Sequence, residues 1–218
     1  MAEKQTLPPR LEPVALVDLA PGYAGDLGAR ESVEGLAFEG VDVSGSDLAA
    51  LAARECSFSE VALSDADLRA STFVACTFDR IDAPVLRVAR GRLRNVEFAL
   101  SRIGSGELYE TTFESVRFTD CKLGYLNLRG ATMTDVLFER CTIEELDLGG
   151  ANGTRIAFEN TAVESLELAH ARFTDLDLRG ADLHVLTGLD GLTGATMSEL
   201  QVSLMAGMFA HHLGIRVE

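Results

Sequence analysis

The feature that most constrains this chain is an apolar side chain at every fifth residue from Phe38 to Leu183. Of the 30 positions in that series, only Ala53, Ala83 and Gly153 lack a sizeable apolar side chain. A helix repeats its buried face every 3.6 residues and a strand every 2 residues, so neither element produces this period. The period indicates a backbone that turns a corner every five residues and points a side chain inward on each side of a square.

A second period, of 20 residues, lies over the first. Seven phenylalanines follow it: Phe38, Phe58, Phe78, Phe98, Phe118, Phe138 and Phe158. Four five-residue units therefore form one coil, and residues 20 apart stack on the same side of neighbouring coils. We expect these seven rings to form a structural core, with coils stacked at about the 4.8 Å spacing of β-strands.

These units resemble the pentapeptide repeat family, whose loose consensus is a small residue, Asp or Asn, Leu or Phe, a polar residue and Gly. The clearest matches are Ala66-Asp67-Leu68-Arg69-Ala70 and Ala181-Asp182-Leu183. The resemblance covers residues 36–185. It implies an all-β fold, a right-handed quadrilateral β-helix in which the repeats form one solenoid.

Both ends of a stacked solenoid need a cap. We expect residues 1–13 to be a flexible tail, residues 14–35 to cap the first coil, and residues 186–218 to form a C-terminal cap with an α-helix. Thr196 followed by Glu199 is typical of a capping box that begins this helix, and Gly214 is a suitable end.

The apolar stripe of this helix has two interpretations, which the residues leave open. The helix either covers the last coil only, or also forms a homodimer interface, which the family resemblance favours. The candidate interface residues are Leu204, Met205, Met208 and Phe209.

Two departures from the consensus predict local changes in the solenoid. Bulky leucines at the second inward position indicate either wider corners in the later coils or tighter packing alone: Leu86, Leu126, Leu146, Leu166 and Leu176. Residues 83–95 match the repeat least well, so a distortion is expected there.

No cluster of residues in the sequence points to catalysis, a cofactor or a metal. Cys56 and Cys76 are 20 residues apart, as are Cys121 and Cys141, and all four occupy inward positions. We therefore expect buried reduced thiols. The four histidines show no spacing typical of a metal site or a triad.

The charge is strongly acidic, with 34 Asp and Glu against 19 Lys and Arg and a net charge of −15. This charge argues against direct binding to nucleic acid or to an anionic membrane. No apolar run is long enough for a membrane span, and we expect a cytoplasmic protein.

One outward column is rich in carboxylates, and three more acids lie close to it. The candidate partner-binding residues are Asp47, Asp67, Glu107, Asp147 and Glu167 in the column, with Glu144, Glu145 and Glu164 nearby. One interpretation, without a binding function, is a solvated surface that keeps the rod soluble. The functional one, implied by resemblance to gyrase-binding members of the family, is a DNA mimic that binds DNA gyrase or topoisomerase IV and modulates it or protects it from poisons.

A cluster of arginines within this acidic chain favours an alternative function. Residues 80–102 include six arginines: Arg80, Arg87, Arg90, Arg92, Arg94 and Arg102. These side chains either pair with neighbouring acids or grip an acidic partner. The alternative to the DNA mimic is therefore a protein–protein interaction scaffold with an unrelated partner.

Overall fold

The computed structural model describes residues 5–217 and contains two parallel β-sheets that wrap around one core. The first sheet has 11 strands. They are β1 (Ala20–Pro21), β2 (Ser32–Glu34), β3 (Leu36–Glu39), β4 (Ala52–Arg54), β5 (Ser57–Ser59), β6 (Thr72–Asp79), β8 (Arg92–Ala99), β10 (Thr112–Thr119), β12 (Thr132–Glu139), β14 (Asn152–Glu159) and β16 (Arg172–Asp177). The second sheet has six: β7 (Asp82–Arg87), β9 (Arg102–Glu107), β11 (Lys122–Asn127), β13 (Thr142–Asp147), β15 (Thr161–Glu167) and β17 (Ala181–Thr187).

The strand register confirms the 20-residue period. Phe98 pairs with Phe118, and Leu123 pairs with Ile143, in ladders whose partners are all 20 residues apart after β1. Because the pairing is parallel and in register throughout, the chain forms a β-solenoid with about 7.5 coils in residues 36–185. The architecture is that of a pentapeptide repeat β-helix.

The seven predicted core phenylalanines form one continuous stack. Successive ring centroids from Phe38 to Phe158 lie between 4.7 and 5.2 Å apart. All seven rings are buried, with relative exposures of 0 to 4%. Each buried aromatic side chain contributes about 1.5–3 kcal/mol of transfer free energy, so this column is a main source of stability.

The corners of the coils use a left-handed backbone. Two of the four corner columns have positive φ in every coil of the solenoid, as at Arg90 (φ 59°) and Ser115 (φ 55°), and a third has it from Gly40 to Asn160, as at Arg140 (φ 51°). In the fourth column, positive φ occurs only at Gly45 and Asp65. From β7 onwards the strands of the second sheet run through that corner without interruption.

The leucines predicted to widen the corners accompany most of these open corners, and Gly106 takes the same place in β9. Leu86, Leu126, Leu146 and Leu166 all lie beside the fourth corner and are buried. Ala66, at the same place in an earlier coil, instead donates its N–H to Leu63 O at 3.0 Å and closes a tight turn. Leu176 follows another corner, where Asp175 keeps a positive φ of 60°.

The expected distortion at residues 83–95 is wrong. Strand β8 pairs with β6 and β10, and β7 pairs with β9, all in the regular 20-residue register. Isolated bridges continue this register from β7 to the preceding coil, at Ala62 with Asp82 and at Asp67 with Arg87. Leu86, Val88 and Leu93 are buried in the core like their counterparts in other coils.

Small polar side chains at the second inward position bridge neighbouring coils. The Thr161 hydroxyl donates to Phe138 O at 3.0 Å and accepts from Cys141 N–H at 3.1 Å. Ser101 accepts from Ile81 N–H at 3.0 Å in the same way. The four cysteines occupy equivalent positions as buried free thiols, and the Cys121 and Cys141 thiols point at carbonyl groups of the preceding coil.

Residues 5–19 run along the outside of the rod, opposite to the direction in which the coils stack. Thr6 is hydrogen-bonded to Thr196, and the Arg10 N–H donates to Asp135 Oδ1 at 2.7 Å. Further along, the Glu12 N–H donates to Ser115 Oγ at 3.1 Å. This placement departs from the flexible tail expected for residues 1–13. Residues 1–4 lie outside the described residues.

The N-terminal cap continues from this segment. A short 3-10 helix, Ala24–Asp26, lies between β1 and β2, and Ala20 N–H donates to Gly35 O at 2.9 Å. Gly22 lies over the first phenylalanine, since a Cβ at that position would lie 2.5 Å from Phe38 Cε1. The lack of a side chain at Gly22 therefore lets the backbone cover the end of the stack.

The C-terminal region contains a 3-10 helix, Leu189–Leu192, and two short α-helices in place of the single expected helix, α1 (Glu199–Leu204) and α2 (Ala206–His212). The predicted capping box at Thr196 and Glu199 is wrong. Ser198 and Gln201 form it, with Gln201 N–H donating to Ser198 Oγ at 3.2 Å. Thr196 is still part of the sheet, where its carbonyl accepts from Leu178 N–H at 2.9 Å.

Within residues 5–217, no helix is long and apolar enough to cross a membrane.

Candidate functional site

The predicted acidic column exists as a column, but most of its carboxylates close turns. Register places Asp47 beside Asp67, and Asp147 beside Glu167. Each side chain accepts the N–H of the residue two positions later, as Asp147 Oδ1 does from Gly149 N–H at 2.9 Å. The same bond occurs at Asp47, Asp67, Asn127, Glu167 and Asp177. Such turns are a usual role for Asp and Asn, so the column has a structural function.

Arginines neutralise part of the column. Arg69 holds Asp67 through two nitrogens, and this pair keeps the pKa of the Asp67 carboxyl below its ordinary value. Arg129 Nη1 lies 3.0 Å from Asp147 Oδ2, and the Asp147 side chain is only 10% exposed. Asp147 is therefore poorly placed to contact a partner.

The predicted acids beside the column are more accessible. Glu144 and Glu145 are exposed on β13, and within the described chain neither forms an ion pair. Glu164 lies one coil beyond Glu144 with its side chain 64% exposed. Glu107 is partly exposed and 3.8 Å from Arg87. The free carboxylates thus gather on the later coils of the second sheet.

Two further residues complete this surface, and the sequence reasoning missed both. Asp182 is 78% exposed, and His184 Nδ1 contacts Glu164 Oε2. The hydrogen bond and charge of Glu164 raise the pKa of His184. The 20-residue period could have found them, because Asp182 and His184 follow Ala162 and Glu164 by one coil. We call Glu144, Glu145, Glu164 and Asp182 the acidic face.

The arginine-rich stretch is largely paired with acids on neighbouring coils. Arg80 contacts Glu60, and Arg90 contacts Glu110, both at 2.8 Å. Arg87 Nη2 lies 3.1 Å from Asp65 Oδ1. Arg94 lies 3.6 Å from Glu114. Arg92 and Arg102 have no ion-pair partner among residues 5–217. Of the two interpretations of this stretch, internal pairing therefore accounts for four of its six arginines.

The N-terminal segment is held by a buried carboxylate. Asp135, 8% exposed, accepts from Arg10 N–H and from Arg155 Nη2 at 2.7 Å. Burial alone would raise the pKa of Asp135, but Arg155 and the Arg10 N–H lower it below its ordinary value. Beside it, the outward-facing Leu137 and Ala157 are 7% and 6% exposed. The segment from Thr6 to Arg10 crosses these coils between its bonds to Thr196 and Asp135.

The candidate dimer residues differ in accessibility. Leu204 is 77% exposed, whereas Met205 is 6% exposed and packs into the core cluster. Met208 and Phe209 are partly buried against the same cluster. Met205 therefore covers the last coil and exposes little of its side chain to a second copy of the chain. Leu204, Met208 and Phe209 remain accessible, and an interface through them stays a prediction. Leu200, at 69% exposed, extends the apolar surface.

The thiols and histidines of the described residues form no metal-binding group. No group of three His, Cys, Asp or Glu side chains in residues 5–217 is placed to hold a metal ion. The hydrogen bond with Cys56, together with burial, raises the pKa of the Cys76 thiol. In the same way, the hydrogen bond with Cys121 and burial raise the pKa of the Cys141 thiol.

Comparison with known proteins gives neighbours in fold only. No family model matches this chain, and no curated protein does. Among solved structures, a trypsin-treated variant of QnrB1, a plasmid-mediated fluoroquinolone resistance protein, is 19% identical, with a TM-score of 0.40 and coverage of 87% of this chain and 92% of that one. Full-length QnrB1 is also 19% identical, with a TM-score of 0.37 and coverage of 89% and 96%.

A second neighbour is a pentapeptide repeat protein involved in the regulation of heterocyst differentiation, HetL from the cyanobacterium Nostoc. It is 15% identical, with a TM-score of 0.29 and coverage of 77% of this chain and 90% of that one. At these identities and TM-scores, the likenesses carry no argument about function.

Proposed function

We propose that this protein is a non-catalytic binding protein whose acidic face occupies a cationic groove that normally holds DNA. The candidate partner is a type II topoisomerase, DNA gyrase or topoisomerase IV, which the protein would modulate or protect from poisons. A cytoplasmic location, also a proposal, would place the two together.

The observation that carries this proposal is a set of exposed carboxylates that close no turn and pair with no arginine among the described residues, although Glu164 and Asp182 contact His184. Glu144 and Glu145 neither close a turn nor pair with a cation among the described residues. Glu164 and Asp182 are 64% and 78% exposed on the next coils. Coils repeat at about 4.8 Å. The face therefore offers regularly spaced negative charges on a rigid support, as a nucleic-acid backbone does.

The net charge of the whole rod is too low to imitate DNA along its full length, so we confine the proposed mimicry of DNA to the acidic face. Residues 36–185 carry 25 acidic and 15 basic side chains, a net −10 over about 36 Å of rod. B-DNA of that length carries about 21 phosphates. The whole rod has about half the net charge of DNA, and several of its carboxylates close turns. We infer that contact is local, through the later coils.

The test is a supercoiling and cleavage assay with gyrase, with and without a fluoroquinolone. The variant Glu144→Lys/Glu145→Lys reverses the acidic face without touching a turn. Its control, Glu31→Lys/Glu34→Lys, makes the same charge change at exposed sites near the other end of the rod. We expect the wild type and the control to inhibit or protect gyrase, and the face variant to lose the effect.

Two results would contradict the proposal. One is no response of gyrase or topoisomerase IV at a tenfold molar excess of the wild type. The other is an effect that the face variant retains in full. Thermal unfolding of all variants shows whether each is folded, so a loss of effect is not confused with a loss of structure.

Homodimerisation through the C-terminal helices is also a proposal. Leu200, Leu204 and Leu213 are each about 70% or more exposed, so the helix pair presents apolar side chains to solvent. Met208 and Phe209 border this surface. Light scattering of the wild type and Leu204→Asp decides it: a dimeric mass that the variant halves supports the interface, and a monomeric wild type contradicts it.

A further inference from the structure

The second sheet contains a pair of cations that the fold does not neutralise. Nine arginines of the solenoid form ion pairs: Arg69, Arg80, Arg87, Arg90, Arg94, Arg129, Arg140, Arg155 and Arg179. Arg102 and Lys122 form none with the described residues, although both are exposed. They are register partners on β9 and β11, so their Cα atoms are about 4.8 Å apart.

This pairing is unfavourable on its own. Like charges directly opposite on neighbouring strands destabilise a sheet. In residues 5–217, it is the one place where two cations are register partners. Asp82, the partner of Arg102 on the preceding coil, lies beyond ion-pair distance. An anion bound between Arg102 and Lys122 would remove the repulsion.

The surface beside these cations is bare backbone. Gly104 and Gly124 hold the next outward position on β9 and β11, and a Cβ at Gly124 would lie 2.2 Å from Gly104 O. No side chain fits there without a shift of the strands. The result is a depression of about 470 Å³ lined by Arg102, Gly104, Lys122, Gly124, Thr142 and Glu144. Glycine in a strand interior often marks a place where another backbone approaches closely.

The charges around the depression change sign along the rod. Arg102 and Lys122 lie at one end, and Glu144, one coil further on, lies at the other. Along the rod axis, Glu144 lies about one and a half coils, or roughly 7 Å, beyond the midpoint of the cation pair. Glu144 is also two residues further along its strand than this pair. Two residues of an extended chain span nearly the same axial length, and a long basic side chain can cover the lateral offset. A polyanion would be attracted at one end and repelled at the other.

We propose that this basic depression binds an extended peptide segment of a partner protein, with a carboxylate between Arg102 and Lys122 and a basic side chain two residues away at Glu144. The peptide backbone lies on the floor made by Gly104 and Gly124. Nucleic acid fits less well, because its charges have one sign and the chain carries −15.

The binding test uses fluorescein-labelled peptides and anisotropy. One peptide repeats Glu-Gly-Lys-Gly, a second repeats Glu-Gly, and a single-stranded DNA of twelve nucleotides is the third probe. We expect the mixed-charge peptide to bind most tightly and the DNA least. Because surface charges carry the binding, it weakens at high salt.

The key variant is Arg102→Gln/Lys122→Gln, and its control is Arg54→Gln/Arg92→Gln. The control removes the same charge from two exposed arginines of the first sheet that have no ion-pair partner in the described part of the chain. We expect the key variant to bind the mixed-charge peptide at least tenfold more weakly and the control to bind it like the wild type. Glu144→Lys should shift the preference to the acid-only peptide.

Equal affinity of the key variant and the control overturns the proposal, and so does tighter binding of DNA than of either peptide. Lack of binding of all three probes to the wild type also counts against it. The gyrase assay distinguishes the two sites: the Arg102→Gln/Lys122→Gln variant should retain whatever effect the acidic face produces.

Discussion

Replacing Thr161 with valine removes a buried hydroxyl but keeps the shape of the side chain. Thr161 is 1% exposed, and its hydroxyl joins two coils by donating to Phe138 O at 3.0 Å and accepting from Cys141 N–H at 3.1 Å. Valine can make neither bond. In the described structure, the N–H of Cys141 has no other acceptor.

The cost follows from that orphaned donor. A buried polar group without a partner costs about 1–3 kcal/mol. We therefore expect Thr161→Val to lower the free energy of unfolding by about 2 kcal/mol. For a chain of this size, a loss of 1 kcal/mol lowers Tm by about 2–4 °C. The expected change in Tm is thus about 4–8 °C.

Thermal and urea unfolding followed by circular dichroism measure the effect, with Thr161→Ser as the matched control. Serine keeps both hydrogen bonds and loses one buried methyl group, which costs about 0.8 kcal/mol. Valine should therefore be the less stable variant. If Thr161→Val is as stable as Thr161→Ser, the hydroxyl bridge contributes nothing and the inward polar column needs another explanation.

Two further predictions concern the N-terminal segment. Arg10→Pro removes the N–H that Asp135 accepts, so it should lower the free energy of unfolding by about 1–2 kcal/mol more than Arg10→Ala, which keeps that N–H; equal stability in urea unfolding would refute this. Because the pKa of Asp135 is lowered on folding, its ionised form adds stability that is complete above the unfolded pKa of about 3.9 and is lost as pH falls through the folded pKa. The wild-type Tm should therefore fall more steeply below about pH 4 than the Tm of Asp135→Asn, and parallel curves would contradict the linkage.

The sequence predicts the solenoid well because the information is local and repeated. Each unit places an apolar residue inward, and Phe98 and Phe118 stack since the same pattern recurs 20 residues later. The corner change beside Leu86 was also predictable, because a bulky side chain there does not fit the tight turn that Ala66 allows.

The N-terminal segment was not predictable, because its partners are far away in sequence. Arg10 bonds with Asp135, 125 residues later, and nothing in residues 5–13 has a period that reveals this. The predicted first residue of the C-terminal helix was wrong for a different reason. Thr196-Glu199 and Ser198-Gln201 both fit a capping box. Only the sheet contact of Thr196 decides between them.

The prediction of the acidic column was correct about the register of its residues. It missed that most of these carboxylates close turns. Its signal was local, since an Asp or Asn precedes a leucine and then the residue whose N–H it accepts, as in Asp67-Leu68-Arg69. A turn-forming pattern of this kind explains why carboxylates recur every coil without reference to a partner. The free acids of the acidic face lie outside that pattern.

The charges of the second sheet that remain after turns and arginine pairs change sign along the rod. On the second sheet, Arg102 and Lys122 precede Glu144, which precedes Glu164 and Asp182 as the coils advance. Net charge alone describes a uniform anionic rod, but from Arg102 onwards the exposed side chains that no turn and no arginine pair engages form a cationic segment followed by an anionic one. A partner that binds this sheet through charged side chains should therefore favour one orientation, with its basic surface towards the C-terminal coils. Reversing Glu144 and Glu145 changes one segment and neutralising Arg102 and Lys122 changes the other, so the two sets of variants separate the contributions of a single oriented surface.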